Sequence, residues 1–113
     1  MIARRVVLVA LTALVAATLL SPAPAAAEDA AKIFAKSCAP CHGKEGAPNA
    51  VFAKQGVKNF TDAAWQKATT DAQIEKSIRE GKKGTMMASF EKQFSTEEIK
   101  GLVAYIRKLG VVK

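Results

Sequence analysis

Residues 38–42 read Cys38-Ala39-Pro40-Cys41-His42, and this C-x-x-C-H pentapeptide decides how the rest of the chain is interpreted. Two thiols at this spacing, placed at the end of a helix, can reach the vinyl groups on neighbouring edges of a porphyrin and form thioethers. The imidazole that follows can then reach the iron. The spacing is therefore typical of covalent haem attachment, with Cys38 and Cys41 as the attachment points and His42 as an axial ligand.

Two other interpretations of the paired cysteines are open. A thioredoxin-type redox disulfide between Cys38 and Cys41 would belong to a βαβ context, whereas the pattern around the motif is helical. A zinc site needs a tetrahedral ligand set, which the two cysteines and the single histidine of the chain do not complete. Haem attachment fits the sequence better than either alternative.

The first residues follow the order of a secretory signal. Arg4 and Arg5 precede an apolar run over residues 6–20, and a stretch rich in alanine and proline follows to Ala27. This order predicts cleavage after Ala27. The apolar run is short for a membrane-spanning helix, and an uncleaved N-terminal anchor is the alternative.

The chain of 113 residues thus divides into a signal peptide, residues 1–27, and one domain, residues 28–113. So small a domain has little apolar side chain of its own for a core, which leaves space for a cofactor at its centre. Covalent haem attachment is extracytoplasmic in bacteria. We therefore expect the bacterial periplasm as the location, ahead of a thylakoid lumen.

The mature region is predicted to be all-α. Apolar and small residues recur at helical spacing from Asp29 to Cys38, and Pro40 with the glycines after it is expected to end that helix. Residues 43–59 have little periodicity and several helix breakers, which predicts a loop.

Three further helices are indicated by their capping residues. Thr61 or Asp62 can cap a short helix that runs to Lys67, and Thr70 can cap a second that ends at Gly81. Residues 81–93 are again irregular. The last helix begins at the capping box of residues 95–98 and ends before Gly110, and its apolar stripe comprises Ile99, Leu102, Val103, Ile106 and Leu109.

A second axial ligand is available in the irregular segment. Met86 and Met87 lie between Gly84 and Phe90, and the only other methionine is Met1. A thioether is a soft ligand that favours reduced iron and raises the reduction potential. Either methionine alone could instead be an ordinary core residue.

Several segments together resemble the small bacterial class I cytochromes c. The opening Cys38–Gly46, the distal segment Ile78–Phe90 and the ending Phe94–Arg107 follow the family's order over nearly the whole mature chain. The resemblance implies an all-α, class I cytochrome c-like fold of three to five short helices and long loops around one covalently bound haem c. It also implies that the first and last helices cross near Phe34 and Tyr105.

The resemblance also bears on the iron ligands. Counting back from Phe90 makes Met87 the axial ligand and Met86 the alternative, although Ala88 stands where the family usually has proline. Members of the family commonly use a proline carbonyl to accept the proximal histidine N–H, and Pro48 is the nearest candidate here.

The function expected on these grounds is that of a soluble one-electron carrier, not an enzyme. Its partners would be redox proteins bound through transient contacts, with acidic docking surfaces that face Lys44, Lys82 and Lys83. Since no basic tract alternates with aromatic residues, nucleic acid is not expected as a partner, and no stable membrane insertion is expected after signal cleavage. The alternatives are a haem-based gas-binding or sensor protein with an open distal face, and an electron-donor subunit of a larger redox enzyme.

Overall fold

A computed structural model describes residues 29–111, where helices alternate with irregular loops and no β-strand occurs. We number five helical segments in chain order: α1 (29–42), α2 (Ala50–Lys54), α3 (Ala63–Ala68), α4 (Asp71–Glu80) and α5 (Thr96–Leu109). The predicted all-α class is confirmed. The predicted signal peptide, residues 1–27, lies outside the described residues. Between residues 29 and 111, no helix has both the length and the apolar character needed to span a bilayer.

Helix α1 is longer than the sequence predicts, because it does not end at Pro40. Residues Phe34–Cys38 form a π-helical turn, in which the N–H of Ala39 donates to the carbonyl of Phe34, and a last α-helical turn, Ala39–His42, follows. Proline is tolerated there because the first residues of a helical turn lack an intrahelical acceptor for their N–H groups. Gly43, with a φ of 86°, ends the helix one residue after His42.

Helix α2 was missed in the sequence, where residues 43–59 were predicted to be a loop throughout. The side chain of Asn49 accepts a hydrogen bond of 3.0 Å from the N–H of Phe52 and so caps this single short turn. Asparagine is equally common in turns and at helix N-caps, and periodicity cannot reveal a helix of five residues.

The capping residues of α3 and α4 are those predicted. Asp62 caps α3, which runs one residue beyond Lys67, and Thr70 caps α4 in a reciprocal capping box with Gln73. Ile74 and Ile78 of α4 are buried, as the spacing predicts. Residues 81–95 are irregular up to the start of α5.

Helix α5 forms one side of the core. Ser95 and Glu98 make the predicted capping box, and the apolar stripe faces inward. Phe34 of α1 is 1% exposed and lies with its ring centroid 5.0 Å from that of Tyr105, so the expected contact between the first and last helices is confirmed. The buried core comprises Phe34, Phe60, Ile74, Ile78, Ile99, Leu102, Val103 and Ile106.

Candidate functional site

A cavity of about 960 Å³ lies beside this core, a volume within the usual range of cofactor pockets. Its walls come from the end of α1, from residues 55–60, from α3 and α4, and from the loop over residues 81–90. All the residues predicted from the sequence to attach the haem or ligate its iron line it: Cys38, Cys41, His42, Met86 and Met87. Residues far apart in the sequence are therefore brought to one space.

The two cysteines do not form a disulfide with each other, and each is partly buried at the cavity wall. Burial, and secondarily the nearby Cys41, raise the pKa of the Cys38 thiol to about 11. A reactive cysteine of the thioredoxin type has a lowered pKa instead, so this environment argues against a redox disulfide. Within residues 29–111 no cluster of three or more histidine, cysteine or acidic side chains has the geometry to hold a metal ion.

The imidazole of His42 is held by a hydrogen bond from Nδ1 to the carbonyl of Lys58, at 3.0 Å. Because a carbonyl can only accept, Nδ1 carries the proton and Nε2 is left as the free ligating nitrogen. Burial lowers the pKa of His42, an effect partly opposed by this hydrogen bond, and so favours the neutral ring that ligates metals.

The acceptor of that hydrogen bond corrects the sequence interpretation, which named Pro48. Residues 57–59 return beside α1 because the N–H of Phe60 donates to the carbonyl of Gly46 at 2.8 Å, which closes the loop. The same closure stacks the ring of Phe60 on His42, with centroids 4.3 Å apart and planes 17° from parallel. Neither Lys58 nor Phe60 has a local sequence signal for this role, since both contacts depend on how a loop closes.

The two methionines differ in their burial. Met87 is partly buried and packs against the core, whereas Met86 is 59% exposed. This difference favours Met87 as the residue whose sulfur faces a bound group.

Thr85 fixes the backbone beside Met87, a role that sequence reasoning did not identify. Its hydroxyl donates to the carbonyl of Lys82 at 2.8 Å and accepts from the N–H of Met87 at 3.2 Å. The N–H of Lys82 in turn donates to the carbonyl of Met87 at 3.1 Å. These hydrogen bonds close the loop, although residue 88 is alanine and not the proline that is usual in the cytochromes the sequence resembles.

The charged side chains that line the cavity are all lysines: Lys58, Lys76 and Lys82. Of the lysines predicted to surround the site, Lys82 is among these, while Lys44 and Lys83 lie outside the lining and are exposed. No acidic side chain belongs to the described lining. The cavity is therefore suited to a largely apolar group that carries negative charges at its edge.

Haem has these properties, and the donor set fits it. The lining offers two thiols, an imidazole with a free Nε2 and a thioether, with apolar walls formed by Trp65, Ile74, Ile78, Phe90 and Ile106. Each chemical group needed to tether, ligate and enclose a haem is therefore present at one cavity.

Comparison with known proteins agrees with this fit. The family model described as cytochrome c oxidase, cbb3-type, subunit III matches residues 25–106. The chain is similar to the cbb3-type cytochrome c oxidase subunit FixP of Azorhizobium caulinodans, with 39% identity over 85 residues that cover 75% of this chain and 28% of that subunit. It is also similar to subunit CcoP of Cereibacter sphaeroides, with 28% identity over 82 residues that cover 73% of this chain and 27% of that subunit. The chain thus spans about a quarter of the length of these relatives.

A solved structure gives the same result for the fold. The KustC0563 c-type cytochrome superposes with a TM-score of 0.66 at 36% identity, over 72% of this chain and 96% of that one. The expectation of an all-α, cytochrome c-like fold is confirmed.

The loop that carries Met86 and Met87 depends on Gly81, which gives a first prediction. Gly81 has a φ of 68° and a ψ of −167°, and a Cβ there would lie 2.7 Å from the carbonyl oxygen of Met87. Gly81→Ala should lower the free energy of unfolding by at least about 2 kcal/mol, since backbone strain adds to the clash. Gly84→Ala is the matched control, because its φ of 74° is also positive but nothing lies within 4 Å.

Gly84→Ala should cost only about 1 kcal/mol, the strain of a left-handed alanine. Denaturant unfolding of both variants measures the difference. Equal losses would show that Gly81 is not closely packed against Met87.

Proposed function

The chain belongs to the c-type cytochromes of the cbb3-type cytochrome c oxidase subunit III family, and on that basis we propose that it carries single electrons on one covalently bound haem c. The observation that carries the proposal is the meeting of Cys38, Cys41, His42 and Met87 at one cavity. A bound haem supplies a ferrous–ferric couple that exchanges one electron without a change of ligands. No substrate needs to reach the iron, so we propose no enzymatic activity for this chain.

Each proposed ligand has a separate task. The Cys38 and Cys41 thiols would each add across a vinyl group, with sulfur bonding to one carbon and the thiol hydrogen passing to the other. His42 would bind through Nε2, and the Lys58 carbonyl keeps its ring fixed through Nδ1. Met87 would supply the sulfur of the second axial position.

The surrounding residues would exclude water and hold charge. The apolar side chains of α4 and Phe90 would limit the access of solvent to the haem, which would lower the reorganisation energy of electron transfer. The amines of Lys58 and Lys82 carry positive charge that suits carboxylates at the edge of the group and, beyond it, an acidic partner surface, whereas the amine of Lys76 lies 3.9 Å from a carboxylate oxygen of Glu80.

For the chain as a whole we propose export. Residues 1–27 would be removed as a signal peptide, leaving residues 28–113 as a cytochrome domain in the periplasm. The partners would be other exported or membrane-bound redox proteins, bound through transient contacts.

The haem attachment itself is tested by the mass of the denatured protein. The chain produced in a host with haem-ligation machinery should have the mass of residues 28–113 plus one haem, with neither thiol open to alkylation. Cys38→Ser/Cys41→Ser should release all haem on acid extraction, because no thioether can form. A colourless wild-type protein in which both thiols alkylate would refute the proposal.

The second axial ligand is tested by spectroscopy of two neighbouring variants. Wild-type protein and Met86→Ala should both be low-spin and fail to bind carbon monoxide. Met87→Ala should become high-spin, bind carbon monoxide and show a lower reduction potential, because the soft thioether is lost. High-spin iron in Met86→Ala would instead identify Met86 as the ligand, and carbon monoxide binding by the wild type would favour a gas-binding protein.

A second candidate function is that of a stable electron-donor subunit. The relatives that the chain matches are oxidase subunits, which favours it. Fractionation of the native cells separates the two candidates, with haem staining to follow the chain. A mobile carrier should appear in the periplasmic extract at low and high salt alike, whereas a subunit should stay in the membrane fraction and purify with an oxidase after detergent extraction.

A further inference from the structure

Gln66 of α3 joins two parts of the chain that are distant in sequence. Its Nε2 donates to the carbonyl of Phe60 at 2.8 Å and to the carbonyl of Ile106 at 2.9 Å, so both amide hydrogens are used. Its Oε1 accepts from Nη1 of Arg107 at 2.8 Å. The side-chain amide is therefore held in one orientation by three hydrogen bonds.

Arg107 of α5 holds Gln66 from the other side. Its Nη1 also donates to the carbonyl of Gln66 at 2.7 Å, its Nη2 donates to the carbonyl of Thr69, and its Nε pairs with Asp71 at 2.7 Å. The planar guanidinium presents its donors in a fixed geometry, which lysine cannot reproduce. Arg107 thereby fixes α3 and the start of α4 against the end of α5.

Gly110 provides the space that Gln66 occupies. Its φ of −77° is open to any residue, but a Cβ there would lie 2.5 Å from Cγ of Gln66. The N–H of Gly110 donates to the carbonyl of Arg107 and not to that of Ile106, four residues earlier. The Ile106 carbonyl accepts a hydrogen bond from Nε2 of Gln66 instead. The sequence predicts Gly110 as the residue that ends the helix. Glycine is favoured there because a Cβ would collide with the Gln66 side chain, and not because the backbone conformation needs glycine.

The contact to Phe60 connects this arrangement to the imidazole. The peptide groups of Phe60 are held on both sides, because its N–H donates to Gly46 and its carbonyl accepts from Gln66. The segment so fixed supplies both contacts of His42: the Lys58 carbonyl on Nδ1 and the stacked Phe60 ring.

We propose that Gln66 is a positioning residue that holds the hydrogen bond between His42 and Lys58 and thereby sets the reduction potential of the iron. Arg107 orients its side chain, and Gly110 leaves space for it. This inference rests on the proposed role of His42 as the axial ligand. A firmly held Nδ1–H makes the imidazole a stronger electron donor and lowers the reduction potential. If the hydrogen bond from Gln66 to Phe60 is lost, residues 58–60 should move more freely, which should weaken the hydrogen bond between His42 and Lys58 and raise the reduction potential.

The test uses the haem-loaded protein labelled with ¹⁵N-histidine, in which the single histidine gives an unambiguous Nδ1–H signal. Gln66→Met keeps the length of the side chain but removes its hydrogen bonds. It should speed solvent exchange of Nδ1–H by about tenfold or more, as expected when hydrogen bonds are lost, and should raise the reduction potential. Gly110→Ala should act in the same direction by displacing Gln66, although every hydrogen-bonding group remains.

Ser95→Ala is the control for loss of stability alone. It removes the cap at the far end of α5 and so lowers stability, and the hydroxyl that is lost accepts its hydrogen bond from the N–H of Glu98, within the same helix. Nδ1–H exchange and potential should stay at wild-type values in this variant. Unchanged exchange in both Gln66→Met and Gly110→Ala, or equal acceleration in Ser95→Ala, would overturn the positioning role.

The underlying ligand assignment has its own readout. Wild-type protein without low-spin haem, or without an Nδ1–H signal shifted by the iron, would refute His42 as a ligand. A shifted wild-type signal that does not respond to Gln66→Met refutes only the positioning role.

Discussion

The contact of Phe34 with two other aromatic rings is the packing on which the site depends. Phe34 lies 5.0 Å from Tyr105 and 6.2 Å from Phe60, measured between ring centroids, and is almost wholly buried. The first of these contacts fixes α1 against α5, and the second fixes the segment that supports His42. Because Cys38, Cys41 and His42 follow Phe34 in α1, one packed side chain sets the position of the whole C-x-x-C-H motif. A π-helical turn between Phe34 and Cys38 further sets the register of the motif relative to that contact.

The loops of this domain are long, but local hydrogen bonds define their course. The loop after α1 closes through the bond from Phe60 to Gly46, and the methionine-bearing loop closes through Thr85 and Gly81. Such closures compensate for a small apolar core, because they fix backbone without burying side chains. They also leave the cavity walls free to present apolar groups inward. A small chain can therefore enclose a large cofactor that it could not surround with helices alone.

The relatives that this domain matches are oxidase subunits, and the match covers about a quarter of their length. A fold that holds its cavity entirely with its own residues can serve either as a separate carrier or as one module of a larger chain. The Gln66–Arg107 arrangement is partly buried, and in our proposal it would adjust the potential in either setting.

The sequence by itself determined the helical class, the C-x-x-C-H motif and most helix boundaries. Periodicity and capping residues are local signals, and Thr70, Ser95 and Asp62 begin their helices as their side chains predict. It predicted Met86 or Met87 as the second axial ligand, and burial in the tertiary structure favours Met87 for that proposed role. Only the tertiary structure identified Lys58, rather than Pro48, as the acceptor for His42, and only it connected Gln66 to that acceptor. The physical reason is that a backbone carbonyl carries no side-chain signature, so the one that meets the imidazole is decided by how the loop closes against distant helices.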